Sequence, residues 1–312
     1  LRQLWPQCLF RREGEILMPP SSSPRRRPGP SPVQKPSVRW LFCRWVWIPA
    51  FAGMTAGCSG VAAITPGKIV SNNPCIDAVL AEIADPQTIG AVSLYSHDPE
   101  SASAPIGWAR RFPAIGSSAE ELIAARPGLV LSGNYASAGT DAALARAGVR
   151  VESFGVAVTL DENEQQVMAI AQAIGREAQG KALVARMSDA ARPRKDDGRS
   201  AIIWTSGGFV PGKGTIRDEM LARAGFRNAS AKYGLGEWDM LPLETLLRDP
   251  PDIIFTPVRA EGDDGRALAL RHSVLRHLRG RTRIIGFPER LLNCGGPGVI
   301  DVMRIFEEAR RT

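Results

Sequence analysis

Two segments of the chain share one layout, and this repetition limits the folds that the chain can adopt. Residues 119–131 and 243–255 each read as a short amphipathic helix, then a proline, then an apolar strand. Strands that are apolar throughout are typical of parallel sheets covered by helices on both faces. In each copy a glutamate lies seven residues before the proline, Glu120 in the first and Glu244 in the second. The chain is therefore expected to contain two α/β lobes of similar build.

Strand and helix signals alternate on both sides of a long helical stretch. Before it, strands are predicted at 68–71, 88–94, 129–132 and 149–154, and helices at 76–84, 119–126 and 140–148. After it, strands are predicted at 201–205, 252–256 and 283–286, and helices at 215–224, 243–248, 267–278 and 299–310.

The stretch between the lobes, from Asp161 to about Ala191, has no proline and only two glycines. Its apolar residues recur at helical spacing, which predicts a single helix of about 30 residues, roughly 45 Å long. The predicted organisation is a leader at 1–67, an N-terminal α/β lobe at 68–160, a linking helix at 161–192 and a C-terminal α/β lobe at 193–312. The fold class is α/β, with two Rossmann-like lobes joined by a single long α-helix. The functional interpretation depends on a rigid helix between two matched lobes, and it fails if the stretch after Asp161 is broken into short pieces within one globule.

The formal net charge of +7 on its own suggests a nucleic-acid-binding protein. The basic excess lies entirely in residues 1–57, where nine Lys and Arg side chains accompany two acids, whereas 58–312 carries 30 of each sign. A folded part without net charge lacks the basic surface that binds phosphate backbones. We therefore expect no nucleic-acid partner.

The basic start of the chain has two interpretations, and both stay open. Residues 19–36 are rich in Pro, Ser and Arg, and 40–54 form a short apolar run that leads through small residues to Cys58. This order is similar to a bacterial lipoprotein signal peptide, with lipidation at Cys58. Alternatively, residues 47–55 resemble the translation of an intergenic DNA repeat fused to a truncated reading frame. In either case residues 1–57 are left out of the fold.

Catalytic and metal-binding signals are weak. The loop Gly207–Thr215 is similar to a phosphate-binding loop, but Gly214 stands where that motif needs Ser or Thr for magnesium. A ligand-contacting loop is favoured there, and a nucleotide-dependent enzyme remains the competing class of function. Of three histidines only His97 lies in a loop that could face a cleft, which is too few for a transition-metal site. We expect no catalytic residues, no metal and no cofactor, and interpret the protein as a non-enzyme.

Two cysteines of the folded part, Cys75 and Cys294, lie in turn sequences at the ends of predicted strands. They could pair in an oxidising compartment. Sequence cannot fix cysteine pairing, and the favoured interpretation is two small buried residues without a disulfide.

Aromatic residues in loops are the candidate ligand contacts, because flat apolar side chains beside Gly and Pro grip large ligands. The predicted ligand-binding residues are Tyr95, Tyr135, Trp204, Phe209 and Trp238, together with Asn73 and His97. The loops at 72–75 and 206–213 are expected to border the same cleft.

The long single helix, the two glutamate-bearing helices and the strands after 127 and 251 resemble the class III periplasmic solute-binding proteins. These proteins serve ABC importers of cobalamin, ferric siderophores and haem, and the resemblance covers nearly all of 68–312. It implies that an acid on each lobe docks with arginines of the membrane permease, and Glu120 and Glu244 occupy those positions. Both acids are then expected to face the same side of the molecule.

Within that family the chain is most similar to the cobalamin-binding members. Tyr95 and Trp238 match aromatic residues that stack on the corrinoid, whereas Ile115 and Gly133-Asn134 stand where those relatives have further tryptophans. A ferric siderophore would instead require clustered arginines, for which the candidates are Arg110, Arg111, Arg217 and Arg259. The resemblance thus implies a monomeric periplasmic binding protein, with a possible lipid anchor, that delivers a corrinoid to ABC permease subunits; haem or a siderophore is the alternative.

Overall fold

The computed structural model describes residues 67–134, 138–257 and 273–311. Tyr135, Arg259, Cys58 and nearly all of the predicted leader lie outside the described residues. The described residues form two α/β lobes with mainly parallel sheets, so the predicted class and the two-lobed organisation are confirmed. None of the helices in these ranges combines the length and apolar composition of a membrane span.

The N-terminal lobe contains a parallel sheet in the order β3-β2-β1-β4-β5. Its strands are β1 (Ile69–Ser71), β2 (Ile89–Ser93), β3 (Ala114–Ile115), β4 (Leu129–Gly133) and β5 (Val151–Phe154), and its helices are α1 (Pro74–Ile83), α2 (Ile106–Ala109), α3 (Ala119–Ala124) and α4 (Ala138–Arg146). Every residue of β2 and β4 is buried, as expected for strands covered on both faces. The short elements α2 and β3 were not predicted.

The C-terminal lobe contains a parallel sheet in the order β11-β10-β6-β8 and a separate antiparallel ribbon of β7 and β9. The strands are β6 (Ser200–Ile203), β7 (Phe209–Pro211), β8 (Arg227–Asn228), β9 (Trp238–Met240), β10 (Ile253–Thr256) and β11 (Arg283–Gly286). The helices are α7 (Ile216–Arg223), α8 (Leu243–Arg248), α9 (273–278 among the described residues), α10 (Arg290–Asn293) and α11 (Gly298–Arg311). Four phenylalanines pack together in its core: Phe226, Phe255, Phe287 and Phe306.

The two sheets repeat one topology. The order β2-β1-β4-β5 of the first lobe matches β8-β6-β10-β11 of the second when the first strand of each lobe is aligned. In both lobes the glutamate-bearing helix, α3 or α8, leads directly into the strand that pairs with that first strand. The repeated layout in the sequence therefore corresponds to a repeated substructure.

The linking segment is two helices, α5 (Leu160–Ala173) and α6 (Glu177–Ala190), so the prediction of one continuous helix was wrong. Gly175 has φ +67 and ends α5, with Gly175 N–H donating to the Gln172 carbonyl and Arg176 N–H to the Ala171 carbonyl. This glycine-ended cap satisfies the last carbonyls of a helix and turns the chain. The helices then pack on each other, since a Cβ on Gly180 would collide with Ala171.

This hairpin of α5 and α6 joins the cores of both lobes. Val167, Ile170 and Met187 pack in the N-terminal lobe, whereas Leu160, at the start of α5, and Ala191, just after α6, pack in the C-terminal lobe. The two ends of the hairpin are thus buried in the C-terminal lobe and its middle is buried in the N-terminal lobe, so the hairpin holds the lobes together although it is not one continuous helix. The single rigid helix is therefore absent from this described segment, whereas the two matched lobes on either side of the cleft are present.

Candidate functional site

A cavity of about 230 Å³ lies between the two lobes. The N-terminal lobe and its exit segment line it with Asn73, Cys75, Ile76 and residues 154–158; α5 contributes Gln166, and the C-terminal lobe contributes 214–217, Glu237, Trp238 and 292–295. We call it the cleft cavity. It is smaller than the roughly 300–1,000 Å³ of a pocket that encloses a drug-sized ligand, so it would hold only part of a larger one.

The cleft cavity lies where ligands bind in parallel α/β proteins, beyond the carboxyl ends of the strands. Asn73 follows β1, and Gly155 to Val158 follow β5. Asn73 caps α1, because its Oδ1 accepts hydrogen bonds from Cys75 N–H at 2.8 Å and Ile76 N–H at 3.4 Å. The side chain predicted to contact ligand thus also fixes the start of the helix beside the cavity.

A disulfide between Cys75 and Cys294 joins the lobes at the wall of the cleft cavity. The favoured expectation of two unpaired cysteines was wrong, because the fold brings the start of α1 and the end of α10 together. The Ser103 hydroxyl donates to Cys294 Sγ at 2.9 Å, and buried Asn163 of α5 hydrogen-bonds both backbone groups of Gly296. One covalent bond and these hydrogen bonds therefore restrain the opening of the cleft.

Large apolar side chains cover the outer face of the β7–β9 ribbon. Phe209 is opposite Met240, and Pro211 is opposite Trp238. Directly opposed residues and residues two apart share one face of an antiparallel pair. Phe209 is 44% exposed, Trp238 51% and Met240 56%. Trp238 also lines the cleft cavity, so this apolar face continues from the cavity to the surface.

Tyr95 and His97 lie in a 3₁₀ turn directly after β2. Tyr95 is 52% exposed, whereas His97 Nε2 lies 3.1 Å from the Ala109 carbonyl and is tied to α2. Neither residue lines the cleft cavity itself. A contact of Tyr95 with ligand would therefore involve the part of the ligand outside the cavity.

Asp77 holds the turn that carries Tyr95. Its Oδ2 accepts hydrogen bonds from Ser93 N–H at 2.9 Å and from the Ser96 hydroxyl at 2.6 Å. The carboxyl group is fully buried, and this desolvation raises its pKa to about 7 despite the hydrogen bonds that favour the charged form. The turn is thus anchored by a group that titrates near neutral pH.

Trp204 does not line the cleft cavity, and the glycine-rich loop lines it only with its last residues, Gly214 and Thr215. Trp204 is 2% exposed and packs in the C-terminal lobe with Val210 and Leu241, so packing accounts for this aromatic residue. The glycine-rich loop contains β7, and its Gly212 N–H donates to the Glu237 carbonyl, so this backbone donor is used within the fold. Among the described residues, no group of three or more His, Cys, Asp or Glu side chains could hold a metal ion.

The sequence patterns did not identify three residues around the cleft, and they identified a fourth only for one alternative ligand. Met240, Val156 and Val158 are exposed to 56%, 62% and 50%. Met240 lies two residues after Trp238, and this spacing, which places both side chains on one face of a strand, could have identified it. Arg217 was named only among possible siderophore contacts. It is 3% exposed and lies in the wall of the cavity.

Glu120 and Glu244 occupy equivalent places, each as the second residue of its helix. Both side chains are exposed. Because α3 and α8 run back to the amino ends of β4 and β10, their starts lie toward the carboxyl edge of the sheet in each lobe. Each acid is therefore on the same edge of its own lobe as the cleft.

Comparison with known proteins supports these structural observations. Residues 69–273 match the family described as periplasmic binding protein. The cobalamin-binding protein of Halobacterium salinarum is 26% identical over 213 residues, which cover 66% of this chain and 58% of that protein. The match thus spans less than two thirds of that relative.

Solved structures share the fold. The apo periplasmic heme-binding protein RhuT from Roseiflexus sp. RS-1 has a TM-score of 0.61 at 25% identity, covering 78% of this chain and 99% of that one. The periplasmic vitamin B12-binding protein BtuF of Vibrio cholerae has a TM-score of 0.56 at 17% identity, covering 78% and 98%. With its matched region spanning most of both lobes, the chain belongs to the periplasmic binding protein family.

Proposed function

We propose that this protein is the periplasmic binding component of an ABC import system, which captures a corrinoid in the cleft and delivers it to the membrane permease. The observation that carries the proposal is the exposed apolar face of Phe209, Trp238 and Met240, which leads into an inter-lobe cavity. Such a face is costly on a soluble protein unless a ligand or partner covers it. Aromatic side chains supply large, rigid contact area for a flat ligand.

A corrinoid fits this arrangement better than a small solute. The cavity of about 230 Å³ takes a side arm, while the ribbon and Tyr95 contact the flat body outside it. The cobalamin-binding relative and the resemblance of Tyr95 and Trp238 support this choice. Haem or a ferric siderophore is the alternative within the same class, in view of the haem-binding structural neighbour.

The restrained lobes favour capture without large closure. The disulfide and the Asn163 hydrogen bonds limit hinge motion, so we expect the ligand to enter a largely preformed cleft. The protein acts as a binding protein rather than an enzyme in this proposal. Lipidation of Cys58 and a monomeric state remain predictions of the same account.

Tryptophan fluorescence of the full chain tests ligand capture. Cyanocobalamin, haem and a ferric trihydroxamate are titrated separately, and one of them should quench the emission with saturation. Trp238→Phe should remove most of the quenching, whereas Trp108→Phe, which alters a tryptophan packed on Phe112 away from the cavity, should retain it. Saturation by none of the three would reject the proposed ligand class.

Glu120 and Glu244 are the proposed permease contacts. Charge complementarity at exposed positions governs docking more than folding, so replacing both by Lys should abolish uptake and leave ligand affinity unchanged. The matched control replaces Asp161 and Glu177 by Lys, which changes two exposed helix-start acids and the same net charge. Uptake that survives the first variant, or fails equally in the control, would reject the docking assignment.

A further inference from the structure

Arg217 is a buried cation without an acidic partner among the described residues. Its side chain is 3% exposed, Nη2 donates to the Cys294 carbonyl at 2.6 Å, and Nη1 lies 3.6 Å from the Met220 sulfur. Nε has no hydrogen-bond partner within the described part of the chain. A guanidinium has five N–H donors, so this one keeps most of its donor capacity unused.

The surroundings of Arg217 disfavour a cation. Burying a charge without a counter-ion is costly, and desolvation lowers the pKa of Arg217 to about 10, which still leaves it charged at neutral pH. Arg217 is also the second residue of α7, where the helix dipole favours negative charge. Among the described residues the guanidinium has hydrogen bonds only to the Cys294 carbonyl and the Met220 sulfur, and no carboxylate pairs with it.

The start of α7 adds unused donors to the same wall. Thr215 caps the helix by accepting from Asp218 N–H at 3.2 Å, which leaves the N–H groups of Ile216 and Arg217 without a described acceptor. Thr215, Ile216 and Arg217 all line the cleft cavity. Two backbone donors, the dipole of α7 and a guanidinium are thus gathered at one wall.

We infer that Arg217 and the first turn of α7 form an anion subsite in the cleft cavity, which binds a carboxylate or phosphodiester group of the ligand. This inference rests on the proposed function, since the same cleft holds the ligand. The small volume suits an anionic arm rather than the ligand body. Glu237 is the one acid among the described residues that line the cavity, and because it is exposed, solvent screens its repulsion.

Ligand pairs that differ in the anionic group test the subsite on the unmodified full chain. The probes are cobalamin against cobinamide, which lacks the phosphodiester, haem against haem dimethyl ester, and a ferric tricatecholate against a neutral ferric trihydroxamate. Within the pair that binds, the anionic member should bind at least about tenfold more tightly, given roughly 1.5–3 kcal/mol for a hydrogen bond to a charged group. Equal affinity within that pair would overturn the inference and leave the proposed function standing.

Two variants of Arg217 locate the effect. Arg217→Met should lower the affinity for the anionic probe about 10- to 100-fold and that for the neutral probe less than about threefold. Arg217→Lys should give an intermediate loss of affinity for the anionic probe. Glu237→Gln is the matched control and should leave the preference intact or increase it. A preference that persists in Arg217→Met would overturn the inference, and the absence of binding by any probe would reject the proposed function itself.

The folding of Arg217→Met is checked by its thermal unfolding. The substitution removes an unpaired buried charge and keeps apolar volume, so the apo variant should unfold at the same or a higher temperature than the wild type. A lower unfolding temperature would show that the charge is compensated in the empty protein, against the inference. The selectivity of the unmodified chain tests the subsite independently of any variant.

Discussion

The disulfide between Cys75 and Cys294 gives the most quantitative prediction, because it closes a very long loop. The two cysteines are 219 residues apart in sequence. The chain-entropy relation gives about 5 kcal/mol for a loop of this length, and removal of native disulfides typically costs about 2–5 kcal/mol. Replacing both cysteines by Ser should therefore lower the free energy of unfolding by about 2–5 kcal/mol. For a domain of this size that corresponds to roughly 5–20 °C in Tm.

Urea unfolding followed by circular dichroism measures this loss, with and without dithiothreitol. The wild type should become less stable in reductant, whereas the Cys75→Ser/Cys294→Ser variant should not respond. The matched control replaces Cys8, Cys43 and Cys58 by Ser and should respond like the wild type. It should also show no free thiol when unfolded without reductant and two after reduction. Superimposed wild-type and double-variant curves, or two free thiols before reduction, would refute the reasoning.

Two further predictions concern the cores that hold the site. Between about pH 4 and 7 the folded protein retains a proton on Asp77 that the unfolded chain has lost, so the free energy of unfolding falls as pH rises through that window, by at most about 4 kcal/mol. Asp77→Asn should flatten this slope in urea unfolding at pH 4.5, 6 and 8, and an unchanged slope would contradict the assignment. Gly180→Ala should destabilise by about 1–3 kcal/mol, since its Cβ would collide with Ala171, although alanine ordinarily stabilises a helix. Thermal unfolding measures this, and a gain in Tm would argue against the packing of α5 on α6.

Local patterns predicted most of the regular elements. The helix Leu243–Arg248 and the strand Arg283–Gly286 have the predicted bounds, because apolar runs and helix-start signals are encoded over a few residues. The two-lobed organisation followed from the repeated layout around Glu120 and Glu244. The short strands β3, β7, β8 and β9 were missed, since strands of two or three residues exist only through their pairing.

The long helix failed because periodicity does not reveal a reversal of the chain. Apolar residues on both sides of Gly175 keep helical spacing, since both helices bury one face in shared cores. The signal for the break was Gly175 itself, a residue suited to the left-handed conformation that ends a helix. A helix end placed at Gly175, despite the continuing periodicity, would have predicted two helices instead of one.

Those site residues could be predicted whose position depends on the neighbouring sequence. Trp238 and Asn73, both predicted as loop residues that contact ligand, line the cleft cavity, although Trp238 lies in β9 and Asn73 caps α1. The pairing of Cys75 with Cys294 and the isolation of Arg217 depend on contacts between distant segments, which a single sequence does not encode locally. Trp204 illustrates the converse, since an aromatic residue at a strand end was buried by the ribbon that packs over it.

Native mass spectrometry of the protein purified from its own host tests the central claim, that the cleft captures one large flat ligand. The account predicts one species heavier than the apo chain by the mass of a corrinoid, a haem or a ferric siderophore, in a one-to-one complex that Trp238→Ala weakens. An apo mass alone after incubation with all three ligand types, or a bound fraction that Trp238→Ala leaves unchanged, would contradict capture of the ligand in the cleft.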